Sequence, residues 1–136
     1  MTTEQAIQAY FDAFNRKDVE ALLALLDDHV VHDINEGPTE TGRDAFRAFK
    51  TEIDRAFDEK IEDLVIMTNG DRGCAEFVVD GIYSGTVEGL PEATGQEYRI
   101  PACAIFEVRE GLIKRVTSYY NLRAWTDAIE GAALSA

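Results

Sequence analysis

Val30-Val31-His32-Asp33-Ile34-Asn35-Glu36-Gly37 is the stretch on which the reading of this chain turns. Two β-branched residues open it, which favours extended backbone. His32, Asp33 and Asn35 then crowd into the next four positions. A strand that ends this way is poor core material. A buried polar group needs a partner, and a buried carboxylate is costly unless it is paired or neutralised. Strand side chains alternate, so Asp33 shares a face with Val31 and Asn35. With Val31 placed toward the interior, Asp33 is expected to face it too. His32 then falls on the other side, as a surface or interface residue. Two readings of Asp33 stand on this evidence. One is a base in an apolar pocket, where desolvation raises its pKa. The other is a solvated carboxylate where the strand frays into the Gly37-Pro38 turn.

Upstream of this strand, placed over His29 to Asn35, the periodicity is helical. Thr2 or Thr3 caps a first helix to about Asn15, with Ala6, Ile7, Tyr10, Phe11 and Phe14 at helical spacing. Asp18 caps a shorter one from Val19 to about Leu26. Downstream, a third helix from Arg43 to about Phe57 puts Phe46, Phe49, Ile53 and Phe57 on one stripe. Everything after it reads as strand: Ile61 to Thr68, the Asn69-Gly70-Asp71 turn, Cys74 to Tyr83, Tyr98 to Arg109, the Glu110-Gly111 turn, and Leu112 to Tyr120. A short closing helix over Leu122 to Glu130 carries Trp125. Helices first and antiparallel strands after them predict an α+β fold, with helices laid on one face of a curved sheet.

The chain has 136 residues, so a single domain over residues 1–136 with a sizeable core is expected. Its formal net charge is −13, which argues against nucleic acid and anionic membrane as partners. No apolar run approaches the roughly 20 residues that span a bilayer. Nothing at the N-terminus reads as a signal peptide. Cys74 and Cys103 lie far apart, and with two His they lack metal-ligand spacing, so no metal site is expected. A cytoplasmic setting is the default.

The run Ile7-Gln8-Ala9-Tyr10-Phe11-Asp12-Ala13-Phe14-Asn15, then Asp18-Val19-Glu20-Ala21-Leu22, Val30-Val31-His32-Asp33, Gly42-Arg43-Asp44-Ala45-Phe46-Arg47-Ala48-Phe49 and Glu110-Gly111-Leu112-Ile113 resembles the NTF2-like superfamily. Within it the chain is similar to the ketosteroid isomerase and SnoaL-like polyketide cyclase branch, above all to ketosteroid isomerase-related proteins. The resemblance covers nearly the whole chain. It implies a cone: three N-terminal helices packed on a strongly curved antiparallel sheet around an apolar pocket, dimeric through the convex sheet face. The isomerases use an Asp as general base, with a Tyr and a second, protonated Asp donating to the enolate oxygen. The base position falls on Asp33, the Tyr position on Tyr10 and the second acid on Cys103, whose thiol is a weak donor. Asn121 stands near the catalytic Asp of some SnoaL-like cyclases, and an amide cannot shuttle protons.

The resulting expectation is an isomerase or polyketide cyclase-like enzyme acting without cofactor on a small apolar carbonyl compound. Asp33 is its base and Tyr10 its oxyanion donor. The pocket is expected to be lined by Phe14, Phe46, Phe77, Val79, Ile105, Val116 and Tyr120. Asn35 and Cys103 are expected to touch substrate, and Trp125 and Tyr120 to close the mouth. Each has a plainer role: core packing for Tyr10, Tyr120 and Trp125, turn capping for Asn35, an inert buried thiol for Cys103. Two other functions compete, a non-catalytic small-molecule binding protein and a hydrolase or dehydratase on the same scaffold.

Overall fold

A computed structural model describes residues 1–135, with side chains through residue 131. Helices α1 (Thr3–Asn15) and α2 (Val19–Ala24) lead into strand β1 (Leu26–Asp33), short β2 (Thr39–Thr41) and helix α3 (Arg43–Ala56). Four long strands follow, β3 (Phe57–Asn69), β4 (Arg72–Tyr83), β5 (Gln96–Arg109) and β6 (Leu112–Tyr120), then α4 (Leu122–Ser135). The expected α+β order is present. Strand β2 was not anticipated, and α4 runs past the expected Glu130. No described helix is long and apolar enough to cross a membrane.

The helix starts follow their caps. Thr2 and Gln5 form a capping box on α1, and the Asp18 carboxylate accepts from Ala21 N at the start of α2. Asn121 Oδ1 accepts from Ala124 N at 2.9 Å, so this residue opens α4 and is exposed.

The strands form one curved, unclosed sheet in the order β2-β1-β6-β5-β4-β3. Pairing is antiparallel except between β1 and β6, which run parallel. Breaks in register bend the strands: one lies between Glu62 and Val65 on β3, where Asp63 takes φ 55°, and another between Glu107 and Val108 against β6. The inner face packs on the helices. Ile7, Phe11, Leu22, Leu23, Val30, Phe106, Ile113 and Val116 are buried in that core. A second cluster, with Phe57, Tyr83, Tyr98 and Ile129 at its heart and Trp125 against it, fills the end under α4.

The register decides which residues look inward. Val30 and His32 are buried, whereas Val31 and Asp33 are only half-buried. On the inner face His32 pairs with Val116, which pairs with Phe106. On the outer face Asp33 pairs with Thr117, then Ile105, Cys74 and Met67 in one continuous row. Shifting the parity of a strand by one residue exchanges all its faces.

Candidate active site

The sheet, α1, α3 and the start of α4 enclose a cavity of about 190 Å³. Its wall is largely aromatic: Tyr10, Phe11 and Phe14 from α1, Phe46 and Phe49 from α3, Phe57 and Phe77 from the sheet, Tyr120 and Trp125 at the far end. Val79 and Val116 also line it, as expected.

Three expectations are corrected by the register. Asp33 does not line the cavity. It lies on the outer face, where the Thr39 and Thr117 hydroxyls donate to its carboxylate at 2.8 and 2.5 Å and Arg115 stands 3.9 Å away. The Thr117 hydroxyl bond, then the Thr39 one, holds its carboxyl below the usual range, opposite to a base tuned by burial. Ile105 shares that outer row, because the buried inner positions of β5 are Ala104 and Phe106. Cys103 falls with it: its cross-strand partners are the exposed Glu76 and Tyr119, and its thiol meets that of Cys74. It still lines the cavity from this strand, between Ala102 and Ala104, and its thiol is a weak donor.

His32, placed outward by the sequence reading, takes the inner place. It is 5 % exposed, with Phe46 and Phe49 rings packed on its imidazole at 4.5 and 4.8 Å. Its Nδ1 is buried without a hydrogen-bond partner. Burial pushes its pKa down to about 4, against the weaker pull of Asp33 behind it. It is therefore a neutral imidazole near pH 7, able to accept a proton.

Tyr10 lies on the same wall, edge-on to Phe11 and Phe106, and burial raises its phenol pKa. Asn35 lines the cavity as well. Its Oδ1 accepts from Tyr120 N at 3.1 Å, while its Nδ2 is buried and unpartnered. Such a donor costs stability unless something fills it.

Two charged residues were missed. Lys50, 6 % exposed, lies 3.8 Å over the Phe14 ring and pairs with Asp54 at 2.7 Å. Glu59 accepts from the Tyr98 hydroxyl at 2.5 Å. Both line the cavity. A signal for each was in the sequence: Lys50 interrupts the apolar stripe Phe46, Ile53, Phe57, and Glu59 alternates between Phe57 and Ile61. No cluster of His, Cys, Asp or Glu able to hold a metal occurs among the described residues.

Among curated proteins none matches the chain. Several solved structures do. A candidate polyketide cyclase from Xanthomonas campestris pv. campestris is 46% identical, with TM-score 0.92 over 93% of this chain and 96% of its own. One from Pseudomonas putida KT2440 is 45% identical, with TM-score 0.93 over 95% and 98%. TerC, solved with polyporic acid, shares the fold at 18% identity and TM-score 0.78 over 94% and 98%. The model of the SnoaL-like domain matches residues 7–116, and this chain belongs to that family.

Proposed function

We propose that this protein is an enzyme of the cyclase or isomerase type that moves a proton beside a carbonyl group of a small, mostly apolar compound, with His32 as the base. The observation that carries this reading is the buried, unpartnered Nδ1 of His32 on an aromatic-walled cavity. A neutral imidazole held between two phenyl rings keeps one orientation and has a lone pair or proton free for a ligand. Tyr10 and the unpaired Asn35 Nδ2 are the donors available to a developing oxyanion. The low polarity of the wall strengthens each such bond. The relatives named as candidate polyketide cyclases, and the binding of polyporic acid by TerC, support a flat carbonyl compound as the ligand class. The protein works as a homodimer in this reading, through the outer sheet face that leaves Val65, Met67 and Tyr119 about half exposed.

Hydrogen–deuterium exchange tests the function. With 2-tetralone in D2O, NMR should show the protein accelerating loss of the protons next to the carbonyl. His32→Gln should lose that acceleration by about 100-fold or more. A wild-type protein that leaves the background exchange rate unchanged rules the reading out.

A further inference from the structure

Proton transfer at His32 leaves one carboxyl group of the cavity unused. Glu59, on β3 between the buried Phe57 and Ile61, lines the cavity from the inner face. The Tyr98 hydroxyl donates to its Oε2 at 2.5 Å. Tyr98 is itself held edge-on by Phe57 and Trp125, with ring centres 6.2 and 6.0 Å away, so the carboxyl group keeps one place. Its other oxygen, Oε1, accepts no hydrogen bond from the described residues. Burial raises the carboxyl above its usual range, against the Tyr98 bond and the charges of Lys50 and Lys17. Such a group is short of donors.

Glu59 stands apart from His32. On α3 the His32 ring packs on Phe46 and Phe49, whereas Lys50 and Asp54 are the α3 residues whose charges act on Glu59. At about 1.5 Å per residue, the midpoints of those two pairs lie about 7 Å apart along the helix axis. A compound of two fused rings bridges that length, with the carbon beside its carbonyl at His32 and its far edge at Glu59.

The surroundings select what that far edge carries. Lys50 Nζ lies 3.8 Å over the Phe14 ring, and Lys17 Nζ, 5.9 Å from the same ring, reaches Glu59 O at 2.5 Å. Two cations therefore surround the carboxyl group, and a ligand ammonium would be repelled. A ligand carboxylate would meet Glu59 and Asp54. An ether or carbonyl oxygen has no proton to give Oε1. A hydroxyl is neutral, has that proton, and can sit on an aromatic ring against Phe57 and Trp125.

We infer that the ligand of this cavity is a ketone with a hydroxyl group on the ring remote from its carbonyl, and that Glu59 determines this specificity by accepting the hydroxyl proton at Oε1 in a hydrogen bond. The inference deepens the proton-transfer reading above and rests on it for the ketone end. No covalent bond is made or broken at Glu59.

Isothermal titration calorimetry with 2-tetralone and its 6-hydroxy and 7-hydroxy derivatives tests this. One hydroxy derivative should bind the wild type about 10-fold or more tighter than 2-tetralone, the worth of a hydrogen bond to a charged group. The matching methoxy compound keeps the oxygen without the proton and should lose that gain. In Glu59→Leu the preference for the hydroxy compound should vanish, whatever the variant does to 2-tetralone itself. The methoxy comparison uses the wild type, so the test holds even when Glu59→Leu does not fold. Hydroxy derivatives that bind no better than 2-tetralone overturn the inference, as does a methoxy compound that binds as well as its hydroxy partner. Neither result touches the His32 reading, which exchange decides. A wild type with the hydroxyl preference and no exchange overturns that reading and leaves Glu59 as a hydroxyl site.

Discussion

Asn15 and Ile61, 46 residues apart, are joined twice: Asn15 Nδ2 donates to Ile61 O at 3.0 Å and Asn15 Oδ1 accepts from Ile61 N at 2.8 Å. The last residue of α1 thus acts as one more strand partner for β3. Asn15→Ala would leave both Ile61 groups without these partners, at a cost of about 1–3 kcal/mol. A urea denaturation midpoint unmoved by the change would contradict this.

The buried His32 makes stability depend on pH. Its folded pKa of about 4 lies below the ordinary value of 6.5. Between those values the unfolded chain takes up the proton and the folded one does not. Stability is therefore lost as pH falls from 6.5 toward 4, on the order of 3 kcal/mol from this residue. The melting temperature of His32→Gln should fall less over that window than that of the wild type. Parallel curves would refute it.

Asp33 and His32 make opposite predictions for the same assay. Asp33→Asn alters the outer-face cluster of Thr39, Thr117 and Arg115 and should change ketone exchange less than twofold. A partly exposed ion pair of this kind is worth at most about 1 kcal/mol. Loss of exchange in Asp33→Asn would return the base role to the outer face.

Gly81 faces Tyr98 across the β4–β5 pair, and a Cβ built there would lie 2.3 Å from Tyr98 Cζ. Gly81→Ala must displace the ring that holds Glu59, at a cost of about 1–3 kcal/mol. Trp125 is the single tryptophan and contacts Tyr98, so its fluorescence should shift in the same variant. An unchanged spectrum with an unchanged melting temperature would show that the frame yields without effect.

The proposed dimer is tested on Tyr119, exposed on the outer face in the row Val65, Glu76, Cys103, Tyr119. Tyr119→Arg should shift sedimentation from dimer toward monomer at micromolar concentration. A wild type that sediments as a monomer under those conditions disposes of the interface.

Element types were legible because they rest on strong local signals: the Thr2 and Asp18 caps, the stripe of α3, the Asn69-Gly70 turn. The site was harder to read, and the reason is one of parity. Val30 and Val31 are chemically near-equivalent, so the β-branched pair cannot say which of them faces the core. The choice is made by Val116 and Phe106, more than 70 residues away, which receive His32 on the inner face. The same one-residue ambiguity moved Ile105 outward, since Ala102, Cys103 and Ala104 carry no alternation of polarity. Tyr10, Phe14, Phe46, Phe77 and Val116 were placed correctly, because helix stripes and aromatic residues declare their faces. Lys50 and Glu59 are hard to read from sequence because Lys and Glu are rarely buried unless paired.

The parallel pairing of β1 with β6 has a consequence for assembly. Leu26 pairs with Ile113 and His32 with Val116, so the chain must be made as far as β6 before the first strand gains its partner on that side, although β2 can join it early. Until then α1 and α2 have no β1–β6 floor to rest on, and their apolar stripes wait in solution. Such long sequence separation makes folding slow and late. On the ribosome the β3–β4 hairpin can form early, but the His32 wall of the cavity closes only after β6 has emerged. The half-made chain therefore exposes an unfinished apolar pocket, the kind of surface that favours aggregation while folding is incomplete.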